Sequence, residues 1–168
     1  PNASSASNHN KADVKQVGNS NNAFVSQNNL YNEAYQVQTG NSNQATIWQD
    51  QLNPVAGNGH DWAKQVQPGN SNKATIDQGT SGNEMPSGAP FSAEALGFVS
   101  AVAVPFMPHG YNDALQTQNG DFNIAYTSQG GEMNDSKITQ TSTAVAASGA
   151  NKASHYQYGK ENDALTTQ

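Results

Sequence analysis

One spacing recurs through this sequence and leaves few folds open to it. The stretches GNSNNAFVSQ at 18–27, GNSNQATIWQ at 40–49 and GNSNKATIDQ at 69–78 are near copies. Each sits in a longer frame, Q-x-G-x-x-N-x-A-x-x-x-Q, whose closing Gln falls eleven residues after its opening Gln. A closing Gln can open the next unit: from Gln27 the frame continues through Asn29, Asn32 and Ala34 to Gln38, with Asn in place of Gly. The frame is complete at 118–129 and 157–168, and it swaps Ala for Ser136 at 129–140. It is weak at 5–16 and survives as good second halves at Asp61, Ala63, Gln67, at Asn112, Ala114, Gln118 and at Asn151, Ala153, Gln157. Eleven units start at 5, 16, 27, 38, 56, 67, 107, 118, 129, 146 and 157, with insertions at 49–56, 78–107 and 140–146. A fixed period over most of a chain signals a repeat architecture, so residues 1–168 are expected to form a single domain.

Each unit reads as a turn and then a strand. Gly, Asn and Ser supply the turn, where positive φ costs little. Asn, Ala, a variable residue and Gln then follow at spacing two and share one face of a strand. The variable residue is Val14, Val25, Gln36, Ile47, Gln65, Ile76, Gln116, Thr127, Ile138, His155 or Thr166, whereas the opposite face is mixed: Phe24, Glu33, Tyr35, Lys73, Asp113, Lys137. Two units make one rung of about 22 residues, and stacked rungs bury their uniform faces against each other. The expected fold is all-β: a two-sheet β-solenoid of about five and a half 22-residue strand-turn-strand rungs, stacked cross-β fashion. Buried amides are tolerable only when satisfied, since an orphan costs ~1–3 kcal/mol. Stacking on equivalent amides above and below supplies the partner.

The expected self-assembly core is therefore Gln16, Asn21, Ala23, Gln27, Asn32, Ala34, Gln38, Asn43, Ala45, Gln49, Asn72, Ala74, Gln78, Asn112, Ala114, Gln118, Asn123, Ala125, Gln129, Asn134, Gln140, Asn151, Ala153, Gln157, Asn162, Ala164 and Gln168. The expected turn residues are Gly18, Gly40, Gly69, Gly120, Gly131 and Gly159.

Composition agrees. Only 34% of the 168 residues are hydrophobic and 12% charged, too few apolar groups for a conventional core and too few charges for a charge-expanded disordered chain. Net charge is −6, with seven Lys and no Arg. Nucleic-acid binding, which draws on phosphate neutralisation, is not expected. Absence of cysteine excludes disulfides and thiolate metal sites. No signal peptide or membrane-spanning run is visible, so no membrane insertion is expected. A start at Pro1 without Met points to a processed, exported protein, although a trimmed chain would look the same.

No chemistry-bearing constellation emerges, and neither an enzyme nor a cofactor is expected. His9, His60, His109 and His155 form no spaced ligand set with carboxylates. His155 takes an inward position and reads as a packed neutral ring. No nucleophile elbow, P-loop or dinucleotide fingerprint is present. The outward aromatics Phe24, Tyr35, Trp48, Trp62, Tyr126 and Tyr156 could stack on sugars or dyes, but more simply cover a sheet.

The pattern resembles the curlin repeat of bacterial curli fibres, through the Gln, Gly, Asn and Ala positions above in eleven units. The resemblance implies an exported subunit that self-assembles into an extracellular, cell-surface amyloid fibre serving biofilm and adhesion. Its main partner is itself, with a nucleator subunit and secretion machinery as further ones. The fold points the same way: Lys11, Asp13 and Lys15 are the only charged guard near the first strand, and no cap helix or terminal proline block is visible. With eleven strands the first and last share a sheet, so a continuous fibre turns each copy by about 180° and rises ~26 Å per subunit. Residues 91–107, the most apolar run, are expected to fold back as a loop onto a sheet and cover outer-face aromatics; a twelfth strand or a sticky patch between fibres is the alternative. The competing readings are a Gln/Asn-rich disordered linker, which does not explain the eleven-residue register, and a monomeric β-solenoid that binds a surface, as an adhesin or an ice-binding protein. The Thr array the latter needs matches at Thr46 and Thr75 but is broken by Phe24, Tyr126 and Ser154.

Overall fold

The structure, a computed structural model, describes residues 9–28, 30–49, 59–79, 96 and 110–168. Each of the eleven units contributes one strand: β1 (Lys11–Val17), β2 (Asn22–Gln27), β3 (Glu33–Thr39), β4 (Gln44–Gln49), β5 (Trp62–Pro68), β6 (Lys73–Gln78), β7 (Asp113–Gly120), β8 (Ile124–Glu132), β9 (Asp135–Ser142), β10 (Lys152–Lys160) and β11 (Asp163–Thr167). Odd strands form one sheet in the order β1-β3-β5-β7-β9-β11, and even strands form the other, β10-β8-β6-β4-β2. All pairings are parallel. The chain is thus a two-sheet solenoid, as the eleven-residue period requires, with β1 and β11 at opposite edges of the same sheet.

The register carries the sequence repeat into space. Ala12, Ala34, Ala63, Ala114, Ser136 and Ala164 align across the odd sheet. Ala23, Ala45, Ala74, Ala125 and Ala153 align across the even sheet. Small side chains here let the sheets approach. Between them Ala34, Ile47, Ala63, Ile76 and Ala114 form one apolar cluster, and Ala125, Ile138 and Ala153 form another.

The insertions do not disturb the stack. β6 pairs directly with β8, and β5 with β7, across the longest of them. Among the described residues no strand lies between these pairs. The stretch 91–107, where a twelfth strand is the alternative, lies outside the described residues apart from Leu96, which is buried and packs against Tyr126. The last insertion ends in a short 3-10 turn at Ala147–Gly149 that the repeat did not foreshadow.

Burial decides between the two readings of the outer aromatics at Trp48 and Tyr126. The outer face of the even sheet is not open: Thr46 and Thr75 are 1% and 0% exposed, Tyr126 is 0%, and Trp48, Asp77 and Ser128 are also buried. Trp48 and Tyr126 are therefore not available for sugars or dyes. The outer aromatics instead pair along the stack, Phe24 with Trp48 at 4.9 Å, Tyr35 with Trp62 at 6.2 Å and Tyr126 with Tyr156 at 5.5 Å between ring centroids.

Candidate functional site

The site is the stack itself and its two ends. In the odd sheet Gln16, Gln38, Gln67, Gln118, Gln140 and Gln168 form an unbroken ladder, each Nε2 donating to the next Oε1 at 2.7–3.1 Å. In the even sheet Gln27, Gln49, Gln78, Gln129 and Gln157 do the same at 2.9–3.0 Å. Both ladders run with one polarity, donors toward the β10–β11 end. Amides inside the ladders are doubly used: Gln78 Nε2 also donates to the Trp62 and Asn112 carbonyls. Those carbonyls belong to the opposite sheet, so the ladder ties the two sheets together.

The Asn residues act at the turns. Asn10, Asn32, Asp61, Asn112, Asn134 and Asn162 form a column in which each Oδ1 accepts the backbone N–H of the next member at 2.8–3.2 Å. Asn21, Asn43, Asn72 and Asn123 repeat this on the other edge. Asn151 does not join them. Its Nδ2 donates to the Thr141 carbonyl, and Asn123 Oδ1 is left without an acceptor role. The 3-10 turn before it brings the chain in by a different path, and Ala150 lacks the left-handed backbone seen before every other member of the columns.

The conserved turn geometry has two left-handed residues, the Gly and the residue just before the Asn. The second is His9, Ser20, Tyr31, Ser42, His60, Ser71, Tyr111, Phe122, Met133 or Glu161, with φ between 49° and 63°. Glycine is required where rungs touch. A Cβ on Gly40 would lie 2.0 Å from the Gly69 carbonyl oxygen, and one on Gly69 would lie 2.0 Å from that of Gly120.

Gln67 and Asp61, named in the repeat but left out of the expected core set, complete a ladder and a column. Two features escaped the sequence reading. First, the variable position carries its own polar thread. Gln36 donates to Gln65 and Gln65 to Gln116. Gln116 then crosses to Thr127 Oγ1 in the even sheet at 3.0 Å, and Thr127, Ser136, His155 and Thr166 continue it. Second, the residues before the Asn column stack as rings on the exposed turn edge: His9 on Tyr31, Tyr31 on His60 and His60 on Tyr111, with centroids 4.7–4.9 Å apart and planes within 14°. Sorting the units by parity puts these four in one column of the sequence.

His155 is a titratable weak point of the thread. Its Nδ1 meets Ser136 Oγ and its Nε2 meets Thr166 Oγ1, both at 2.8 Å. Burial lowers its pKa below the ordinary 6.5. The neutral ring's contribution is therefore complete above about pH 6.5 and is lost as pH falls below that value. Unfolding midpoints should drop between pH 7.5 and 5.5 in the native chain, and drop less in His155→Gln. An equal drop in both would show that His155 does not carry the acid sensitivity.

On the outer face of the odd sheet, Asp113, Asp135 and Asp163 stand in register beside Trp62, along a groove of about 340 Å³. Partial burial, and then the Asp135 charge, raise the Asp113 carboxyl above the usual 3.8. That raises a cost at neutral pH which is removed as acid protonates the carboxyl. Deep burial, followed by the Asp77 charge, pushes the Tyr126 phenol far up. Among the described residues no group of three or more His, Asp or Glu is placed to hold a metal ion, and no helix is long and apolar enough to cross a membrane.

No protein-family model, curated protein or solved structure matches the chain.

Proposed function

We propose that this chain is a self-assembling structural subunit of an extracellular, curli-like amyloid fibre, polymerising head-to-tail by strand stacking. One observation carries the reading. Each strand's best partner is a near copy of itself, and among the described residues no strand pairs with the outer edges of β1 and β2 or with those of β10 and β11. β1 is exposed along its whole length, β2 and β11 are exposed at alternate positions, and Val14, Val17, Phe24 and Leu165 stand in solvent. Such edges template further strands. The role is mechanical, in a biofilm matrix and in adhesion, with no catalysis or cofactor; a nucleator and an export apparatus are its companions. The burial of Thr46 and Thr75 weighs against the ice-binding alternative, which needs them on a flat open face.

The test is quiescent incubation of the purified chain, with and without sonicated fibre seeds, followed by sedimentation and negative-stain electron microscopy. Unbranched fibres, with the lag shortened by seeds, are expected. A chain that stays monomeric with strong β-sheet circular dichroism, even when seeded, would sink the reading.

A further inference from the structure

The two ends of the stack do not match as flat faces, and their mismatch specifies how two copies join. At one end β1 and β2 complete a rung. At the other, β11 stands one level above β10, and among the described residues the even sheet has no strand beside it. We propose that the next copy docks on this step after a half-turn about the stack axis, so that its β1 extends the even sheet over β10 and its β2 extends the odd sheet over β11. This rests on the fibre reading above and deepens it by naming the partner's register.

Several independent features agree with that placement. In the joint Ala12 meets Ala153, Gln16 meets Gln157, Asn21 meets Asn162, Ala23 meets Ala164 and Gln27 meets Gln168. These pairings recur between the described rungs apart from Ser136 in the Ala column, Asp61 in the Asn column and Asn151, which joins neither column. The polarity of the ladders fits. Gln157 and Gln168 Nε2 donate to the Asp135 and Lys152 carbonyls but to no further glutamine. Gln16 and Gln27 donate upward, and among the described residues nothing donates to their own Oε1. Two donors at one end thus face two acceptors at the other. Each ladder also changes sheet at the joint, the six-membered one passing to the five-membered one, so neither ends inside the fibre.

The turn supplies a further fit. A Cβ on Gly131 would meet the Gly159 carbonyl oxygen at 1.9 Å, whereas one on Gly159 would meet only Asn162 Nδ2 at 3.5 Å. The space over Gly159 is the space that Gly18 of the next copy fills. Finally, Phe24 and Leu165, 43% and 68% exposed in the single chain, come into register and cover each other. The one adverse contact is Lys11 over Lys152, both at the exposed margin, where solvent and salt screen the repulsion. Docking without the half-turn would place Lys11 over Asp163. It would also leave a missing strand between β10 and the next β2, with both backbone edges unpaired.

The chain has no cysteine, so pairs can be introduced cleanly. Adjacent in-register parallel strands hold equivalent Cα atoms ~4.8 Å apart, within the ~4.4–6.8 Å a disulfide spans. Asp13 and Ser154 lie on outer faces at opposite ends of one chain and become neighbours only across the proposed joint. Fibres of the Asp13→Cys, Ser154→Cys double variant, oxidised after assembly, should run as a ladder of covalent multimers on a non-reducing gel. Fibres of Asp13→Cys, Leu165→Cys should run as monomers. The reverse pattern would overturn the half-turn joint while leaving fibre formation standing. Should the variants fail to assemble, helical reconstruction of native fibres decides: a rise of ~26 Å with a half-turn supports the joint, and ~29 Å without one contradicts it. If the native chain forms no fibres, assembly itself fails, and the joint with it.

Discussion

Replacing Gln67 by alanine should lower the unfolding free energy by about 3–5 kcal/mol. Its side chain is 1% exposed. It accepts from Gln38 Nε2 at 2.9 Å, donates to Gln118 Oε1 at 2.7 Å and donates to the Gln44 carbonyl at 3.1 Å. Truncation leaves a buried donor, a buried acceptor and a carbonyl without their partner, around a cavity the size of the lost amide. Orphaned groups cost more than the bonds they formed, because neither water nor protein replaces the partner. Gln67→Leu fills the cavity but keeps the orphans, and should recover part of the loss. Gln16, at the exposed end of the same ladder, has only one ladder neighbour. Its alanine variant should cost under about 1 kcal/mol. Urea unfolding of the freshly purified soluble chain measures all three. Equal losses at Gln16 and Gln67 would mean that the ladder does not carry the stability assigned to it.

Gly69→Ala should cost at least as much, for a reason rooted in backbone and not in side chains. Gly69 has φ of 135°, and its added Cβ would sit 2.0 Å from the Gly120 oxygen and 2.6 Å from its carbon. Neither atom can rotate away. Relief requires that β5 and β7 separate, which breaks the ladder from Gln67 to Gln118 as well. Gly159→Ala is the control: φ of 115° strains it too, but no backbone atom stands in the way. Backbone strain of this kind is worth ~1–3 kcal/mol. Thermal unfolding followed by circular dichroism should show a clearly lower midpoint for Gly69→Ala than for Gly159→Ala. Similar midpoints would show that rung contact at the glycine column is looser than the structure has it.

The two sheets were legible in the sequence because a period of eleven with polar residues at fixed phase admits one repeating strand per unit. The inward face at Gln36, Ile47, Gln65 and Ile76 followed from spacing two alone. What was not legible came from contacts outside the repeat. Thr46, Thr75 and Tyr126 occupy positions that alternate outward, and nothing in their own units announces that they are covered. Tyr126 packs against Leu96, which belongs to the apolar run expected to cover outer-face aromatics; the burial of Thr46 and Thr75 has no counterpart in that expectation. The left-handed backbone at Tyr31, Tyr111, Phe122 and Met133 was equally hidden, since these are poor residues for positive φ. It is imposed by the next residue, whose Oδ1 must reach the backbone N–H of the adjacent rung, as Asn112 does for Asn134 at 3.2 Å. The ladder members Gln67 and Asp61 were visible within a diverged unit. Asp61 works there because its Oδ1 accepts from Asn112 just as an Asn oxygen would, at 2.8 Å.

Oriented fibre diffraction tests the central claim most directly, that this chain is a stack whose rungs repeat along a fibre axis. A sharp meridional reflection at ~4.8 Å, with an equatorial one near ~10 Å, is the expected pattern. A 4.8 Å reflection on the equator would place the strands along the fibre, and would contradict stacking of one copy's ladder on the next.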